Sequence, residues 1–227
     1  MKLVQLKITK MQIKKWHMNN LIIIPARKNS IRLKNKNLLK INSKTLIEHT
    51  ISFAKTILPN TNILVSTDSS KIKKISLRNK VLCPWLRPKH LSTSESTTED
   101  VLLHALKWYE RGRTSVDFVI LLQPTSPFRT KKTFFKCLNK AKKYPKSTVI
   151  TFKKKKIKIY VKNNNKANLQ SIECIQPNGS IYIISAKKLK KQKFFYAGDI
   201  KPQIVINQKE NIDIDYQKDY VKAKKVL

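Results

Sequence analysis

Two groups of residues in this chain are able to do polar chemistry, and they lie at opposite ends of it. Near the start, LIIIPARKNSIRLKNKN (residues 21–37) runs from a buried-strand pattern straight into a loop without glycine. Arg27, Lys28, Arg32, Lys34 and Lys36 supply cations there, and Ser30, Asn29, Asn35 and Asn37 supply hydroxyl and amide groups. Guanidinium and ammonium groups pair with phosphate oxygens, and a strand end fixes where they point, so the loop suits a polyphosphate. Near the end, NIDID (residues 211–215) spaces Asp213 and Asp215 two apart, which in extended chain puts both carboxylates on one face and Ile212 and Ile214 on the other. Two of the chain's 13 acids side by side are costly unless a cation sits between them. Oxygen ligands of this kind suit Mg²⁺, which is commonly held by one or two carboxylates together with substrate phosphates. A solvent-facing strand paired with lysines would leave the same spacing.

A third segment, LLQPTSPFRT (residues 121–130), is an apolar strand entering a loop stiffened by two prolines. The prolines reduce the freedom of the loop and present Gln123, Thr125 and Ser126 to a ligand. A fourth, VSTD (residues 65–68), ends another strand in small polar residues. If all three strands are parallel, these loops meet at one carboxyl edge, which is where open α/β sheets bind ligands.

The elements that must position these loops alternate along the first half. Short apolar strands at 21–25, 62–66 and 117–122 are interleaved with amphipathic segments at 45–58, 97–110 and 131–142, an order that predicts a mostly parallel sheet covered by helices on both faces. Ile47, Thr50, Ile51, Ala54, Ile57 and Leu58 make one apolar stripe. Thr97 and Asp100 resemble a capping box ahead of Val101, Leu102, Ala105, Leu106 and Trp108. His104, inside that helix, reads as a packed or surface histidine. The second half predicts strands at 147–152 and 157–161 around Lys153–Lys156, a turn or hairpin loop at NNNKAN, a strand at 179–185, a short helix at 186–193, a strand at 204–207 and a terminal helix at 216–226. Residues 1–17 carry five lysines and no continuous apolar run, unlike a secretory signal, and read as an extension outside a main domain spanning 18–227. Met18 is a candidate start of translation.

The chain has 49 Lys and Arg against 13 Asp and Glu, a formal net charge of +36, which would ordinarily point to a nucleic acid or an anionic membrane. Only seven of those cations are arginines, glycine falls to 3, and Lys, Ile and Asn, which share AT-rich codons, abound. Codon bias explains such a composition, few aromatics interleave with the lysines, and no nucleic-acid motif is present, so no specific nucleic-acid partner is expected. Cys83, Cys137 and Cys174 are odd in number and widely spaced, which argues against a disulfide framework or a zinc site and for a reducing cytoplasm. No apolar run approaches the roughly 18 residues of a membrane span.

Taken in order, IIIPARKNS with Lys36-Asn37, VSTD, LRPKHLS, DVLLHAL, LLQPTSPFRT, NGSIYI and NIDID resemble the acylneuraminate cytidylyltransferases, the CMP-sialic acid synthetase family, over about residues 18–227. The resemblance implies a Rossmann-like, mostly parallel sheet of the nucleotide-diphospho-sugar transferase type with a small β excursion in the second half. It also implies transfer of a cytidylyl group from CTP to a sialic-acid-like 2-keto sugar acid of the N-acetylneuraminate or legionaminate type, in a cytoplasmic homodimer that uses Mg²⁺. By motif position Arg27 and Lys36 would hold phosphates. Ser30, Asn37, Arg87 and the backbone near Ala26 would meet the nucleotide, and Gln123, Thr125 and Ser126 the sugar. Asp213 and Asp215 would bind the metal.

The chain departs from the family pattern in four places. Ile31 stands where GSK or NSK is usual, with Arg32 as the nearest replacement cation. Lys34 replaces a common proline, Ser94 a common aspartate, and no arginine follows Arg129. The alternatives are a degenerate homologue that binds nucleotide without turnover, and a 3-deoxy-manno-octulosonate-type enzyme, which would typically have Lys-Pro at 36–37.

Overall fold

The computed structural model describes residues 20–163, 166–196 and 198–226, so the 1–17 extension and Met18 lie outside the described residues. A six-stranded sheet has the order β4-β1-β5-β7-β6-β8, with β1 at Asn20–Pro25, β4 at Ile63–Ser66, β5 at Phe118–Leu121, β6 at Thr148–Asn163, β7 at Lys166–Ser185 and β8 at Ile200–Ile204. β1 pairs in parallel with β4 and β5, β6 pairs in parallel with β8, and β7 pairs antiparallel with both β5 and β6. Five strands therefore run one way and β7 alone is reversed. The expected mostly parallel α/β architecture is borne out.

Strand alternation divides the core. Ile22 and Ile24 face one side with Val65, Ile120 and Ile183, covered by α1 (Leu46–Lys55), α2 (Ser70–Arg78) and α4 (Lys131–Lys143). Leu21 and Ile23 face the other with Val119, Leu121 and Ile184, covered by α3 (Thr98–Arg111) and α5 (Ala186–Gln192). Both faces are dry, as a sheet with helices on each side requires. A third, smaller cluster joins Ile41, Leu46, Ile212, Ile214 and Ala223, and packs the terminal helix α6 (Gln217–Lys225) near the start of α1. Between β1 and α1 lies a tiny hairpin, β2 (Lys40–Ile41) and β3 (Lys44–Thr45), whose Asn42 and Ser43 both have positive φ, the geometry that matches strand twist in a two-residue turn. Thr45 then starts α1 with a full capping box to Glu48.

Several boundaries differ from the sequence reading. β6 runs unbroken through Lys153–Lys156, and β7 starts at Lys166 rather than 179, so the expected pair of short strands and small excursion are one long two-stranded arm. Asn163 pairs with Lys166, consistent with a hairpin at NNNKAN, of which 164 and 165 lie outside the described residues. The last strand occupies Ile200–Ile204 instead of 204–207, and Ile206 is exposed. Pro202 disguised it, because proline breaks a strand pattern but is tolerated at a sheet edge. Helix α2 was not expected at all: its lysine-rich sequence buries only Ile72, Ile75 and Ser76, too short a stripe to stand out.

Candidate active site

The carboxyl ends of β4, β1 and β5 lie side by side, and the loops after β1 and β5, together with residues of the 87–101 segment, wall a cavity of about 610 Å³, whereas the VSTD residues at the end of β4 do not line it. The opening loop leaves β1 at Ala26, which is buried and donates its N–H to the Ser66 carbonyl at 2.9 Å, so the loop is pinned to the end of β4. Asn37 closes the loop by donating Nδ2 to the Arg27 carbonyl at 2.9 Å, and Lys28 N–H donates to Asp68 Oδ1 at 2.6 Å. Arg27, Ser30, Arg32, Lys36 and Asn37 consequently all line the cavity. Ile31 lines its rim yet is 80% exposed.

Arg87 approaches from the other side, its N–H held by the Thr67 carbonyl at 2.7 Å. The residue is 7% exposed, and its Nε and NH2 have no hydrogen-bond partner; the nearest carboxylate oxygen, Asp68 Oδ1, is 3.8 Å from NH2. Burial lowers its pKa, and Asp68 opposes that shift. A buried guanidinium with two nitrogens lacking hydrogen bonds and only a 3.8 Å ion pair to Asp68 is chemically suited to an anion, because leaving those donors unsatisfied is costly.

On the facing wall the third cluster sets the acidic pair. Ile212 and Ile214 are buried, Ile214 N–H bonds the Thr125 carbonyl at 2.8 Å, and Asp213 and Asp215 are left facing the cavity as the two-residue spacing requires. Asp215 Oδ1 receives Lys36 Nζ at 2.7 Å, and its Oδ2 receives Arg32 NH2 at 3.0 Å. Asp213 Oδ1 is buried with no hydrogen-bond partner. Burial, with Asp215 adding, pushes the Asp213 carboxyl above its usual range. Gly179 explains the tight fit here: a Cβ on it would stand 2.8 Å from Asp213 Oδ2, and its φ of +75 is one that side chains rarely adopt. Among the described residues no group of three or more His, Cys, Asp or Glu could hold a metal. An orphaned carboxylate oxygen beside a second carboxylate nonetheless fits a hard, oxygen-seeking divalent cation that completes its shell with phosphate and water.

Residues 21–225 match the Cytidylyltransferase family. The chain belongs to the cytidylyltransferase family. It is 33% identical over 227 residues to the CMP-N,N'-diacetyllegionaminic acid synthase of Legionella pneumophila, covering 92% of this chain and 97% of that protein. It is 29% identical to the N-acylneuraminate cytidylyltransferase of Escherichia coli, over 87% of this chain but 49% of that protein, so it spans about half the length of that relative. Among solved structures, CMP:2-keto-3-deoxy-manno-octonic acid synthetase complexed with CTP superposes with a TM-score of 0.66 at 16% identity, covering 92% of this chain and 98% of that one. A 4-diphosphocytidyl-2C-methyl-D-erythritol synthase superposes with a TM-score of 0.63 at 11% identity, covering 92% and 97%. Both share the fold.

Within this cytidylyltransferase, most residues singled out from sequence converge on one cavity. Arg27, Ser30, Lys36, Asn37, Arg87, Gln123, Thr125, Asp213 and Asp215 line it. Ser126 does not. It is buried beneath the loop and donates Oγ to the Asn178 carbonyl at 3.4 Å, so its hydroxyl is spent on β7 rather than offered to the cavity. Ala26 does not line it either: it is buried, and its N–H is bonded to the Ser66 carbonyl. His104 packs edge-on against Trp85 at 5.0 Å, and burial, aided by His90 and Arg87, lowers its pKa, so it stays neutral near pH 7.

Arg129 is the residue that sequence reasoning undervalued. It is fully enclosed, donating Nε to the Ser180 carbonyl at 2.7 Å, NH2 to the Gln123 carbonyl and NH1 to Thr50 Oγ1 at 3.4 Å. Burial pulls its pKa to about 9 against the opposing pull of Asp213, which leaves it charged at neutral pH. It ties the Gln123 loop to β7 and α1. Thr93, Ser96 and Thr97 form the remaining polar wall, and Thr93 accepts from Arg27 NH1 through its carbonyl at 3.2 Å. Their sequence carries no signal for ligand binding; Thr97 reads only as a helix cap.

Proposed function

We propose that the enzyme transfers the cytidylyl group of CTP to the anomeric hydroxyl of a sialic-acid-like 2-keto sugar acid, of the legionaminate or N-acetylneuraminate type, with release of pyrophosphate. The observation that carries this reading is the arrangement of one cavity, with Arg27, Arg87 and Lys36 opposite the Asp213–Asp215 pair. The identity to the Legionella pneumophila synthase over nearly the whole of both chains favours the nonulosonic class of sugar. The sugar hydroxyl attacks the α-phosphorus and gives up its proton to solvent, its bond to phosphorus forms as the bond to the pyrophosphate oxygen breaks, and the negative charge that develops spreads over phosphate oxygens. Positioning and charge neutralisation carry such reactions. Arg27, Lys36 and Arg87 hold and neutralise the phosphates. Ser30 and Asn37 seat the nucleoside, and Gln123 and Thr125 meet the sugar acid. Asp213 and Asp215 would hold Mg²⁺, which supplies Lewis-acid stabilisation of the phosphate oxygens.

Pyrophosphate release from CTP and Mg²⁺ across a panel of nonulosonic acids and 3-deoxy-manno-octulosonate tests the reading. Turnover with a nonulosonic acid is expected, and silence with every sugar from folded protein overturns it. A second reading, a homologue that binds nucleotide without turnover, is favoured by Ile31, which turns an apolar side chain to solvent where the loop's cation series would continue. Calorimetric CTP binding without pyrophosphate release with any sugar would select it. A homodimer joined through the β6–β7 arm belongs to the same proposal, checked by light scattering. So does a cytoplasmic site of action; among the described residues no helix is long and apolar enough to cross a membrane.

A further inference from the structure

Asp215 has both carboxylate oxygens taken, Oδ1 by Lys36 at 2.7 Å and Oδ2 by Arg32 at 3.0 Å, while Asp213 beside it keeps a buried oxygen without a partner. The two cations belong to the same short loop that lines the cavity, and they differ in exposure. The Lys36 side chain is 13% exposed, and that of Arg32 is 53% exposed, resting 5.2 Å above the Tyr216 ring. The acid expected to take a divalent cation is thus already neutralised from within, by groups that also stand where phosphates would bind.

We propose that Arg32, with Lys36, serves as an internal counter-ion of Asp215 which an arriving divalent cation displaces and hands over to the triphosphate. This rests on the nucleotide reading of the same cavity. The physical reason is that one carboxylate cannot satisfy three cations at close range. A divalent ion shared by Asp213 and Asp215 repels a guanidinium and an ammonium held about 3 Å from the same oxygens. Once released, both groups remain tethered at the cavity edge, where the phosphate oxygens of the nucleotide are the anions within reach. Tyr216 keeps Arg32 close through its ring face during the exchange. Metal and nucleotide binding are thereby coupled, and Arg32 replaces the cation that Ile31 does not supply. Coupling of this kind must be reciprocal.

The test is a thermodynamic cycle on the full chain, with CTP affinity measured by calorimetry in chelator and in Mg²⁺ for wild type, Arg32→Gln, Asp215→Asn and the double variant. In chelator Arg32 is occupied by Asp215, so Arg32→Gln should leave CTP affinity within about twofold. In Mg²⁺ the same variant should weaken CTP about tenfold, the weight of one charge-assisted hydrogen bond. Asp215→Asn should tighten metal-free CTP binding about tenfold by freeing both cations, and adding Arg32→Gln should remove most of that gain. Mn²⁺ binding without nucleotide, read by electron paramagnetic resonance, should tighten in Arg32→Gln, since a competitor has been removed. A merely structural role for Arg32 would weaken both ligands. Equal weakening of CTP with and without metal, or additive effects across the cycle, overturns the exchange even where pyrophosphate release proceeds normally. Absence of CTP binding to wild type under both conditions removes the nucleotide reading, and this inference with it.

Discussion

In the parallel half of the sheet, Ile22, Ile24 and Val65 are wholly or almost wholly buried, and the Lys36 ammonium is held 2.7 Å from a carboxylate. In the β6–β7 arm the same residue types meet water: Tyr160 is 73% exposed, Leu169, Ile172 and Ile175 are also exposed, and Lys154, Lys156 and Lys158 project from one face of the ribbon. Of those lysines, Lys154 meets Glu173 at 2.8 Å in an exposed pair. A lysine becomes an instrument of chemistry only where packed strands fix its direction and exclude competing water; elsewhere it is a solvated charge worth little. Formal charge is therefore a poor guide to the working part of this molecule.

The comparison breaks most visibly at the acidic pair. Asp215→Ala should lower pyrophosphate release by about a thousandfold, the order expected when a ligand of a phosphate-neutralising site is lost. A variant that turned over normally would move the chemistry away from the NIDID segment. Next is the buried guanidinium: Arg129→Ala leaves the Gln123 and Ser180 carbonyls without their donor and opens a void. Urea unfolding should show a loss of about 3–5 kcal/mol, as for breaking a buried charged network. A loss under about 1 kcal/mol would mean that the loop holds its shape without Arg129.

Gly179→Ala introduces a side chain at positive φ and pushes against Asp213. A stability loss of about 1–3 kcal/mol is expected from the backbone alone, together with a fall in turnover larger than that in CTP affinity. Thiol labelling compares the two regions directly. Burial raises the Cys83 thiol to about 11 and the Cys137 thiol to about 12, so at pH 8 both stay protonated, whereas Cys174 lies partly exposed on the arm. Iodoacetamide should modify Cys174 first and the other two at least about tenfold more slowly, with mass spectrometry assigning the sites. The sign for stability follows: thiols that resist ionisation in the fold but ionise near 8.5 when unfolded make the protein less stable as pH rises through about 9. The smallest effect belongs to the arm, where replacing Lys154, Lys156 and Lys158 together by glutamine should change unfolding free energy by less than about 0.5 kcal/mol each and leave CTP affinity unaltered. A tenfold drop in CTP affinity would place the arm in the nucleotide site.

Legibility followed the range of the interactions. The continuous apolar run Leu21–Ile24, the cations of the opening loop, the caps at Thr45 and Thr97 and the two-residue rhythm of Ile212–Asp215 are local properties, and they could be read from composition and period. Elements whose order depends on neighbours read less well. The β6–β7 arm was divided at its lysines, because Lys153–Lys156 interrupt the apolar period that Ile157, Ile159 and Val161 show and most of β7 within the arm is exposed. β8 was displaced by Pro202, and α2 was hidden by its short apolar stripe.

By itself the sequence determined the alternating α/β plan, the polyphosphate character of the first loop and the common face of Asp213 and Asp215. Only the tertiary structure decided that Lys36 reaches Asp215 across 179 positions, that Arg32 rather than residue 31 faces the acids, that Ser126 turns inward and that Arg129 is enclosed. The reason is physical: periodicity records which side of an element meets the core, whereas strand order and burial decide which distant groups share a cavity and are strong enough there to matter.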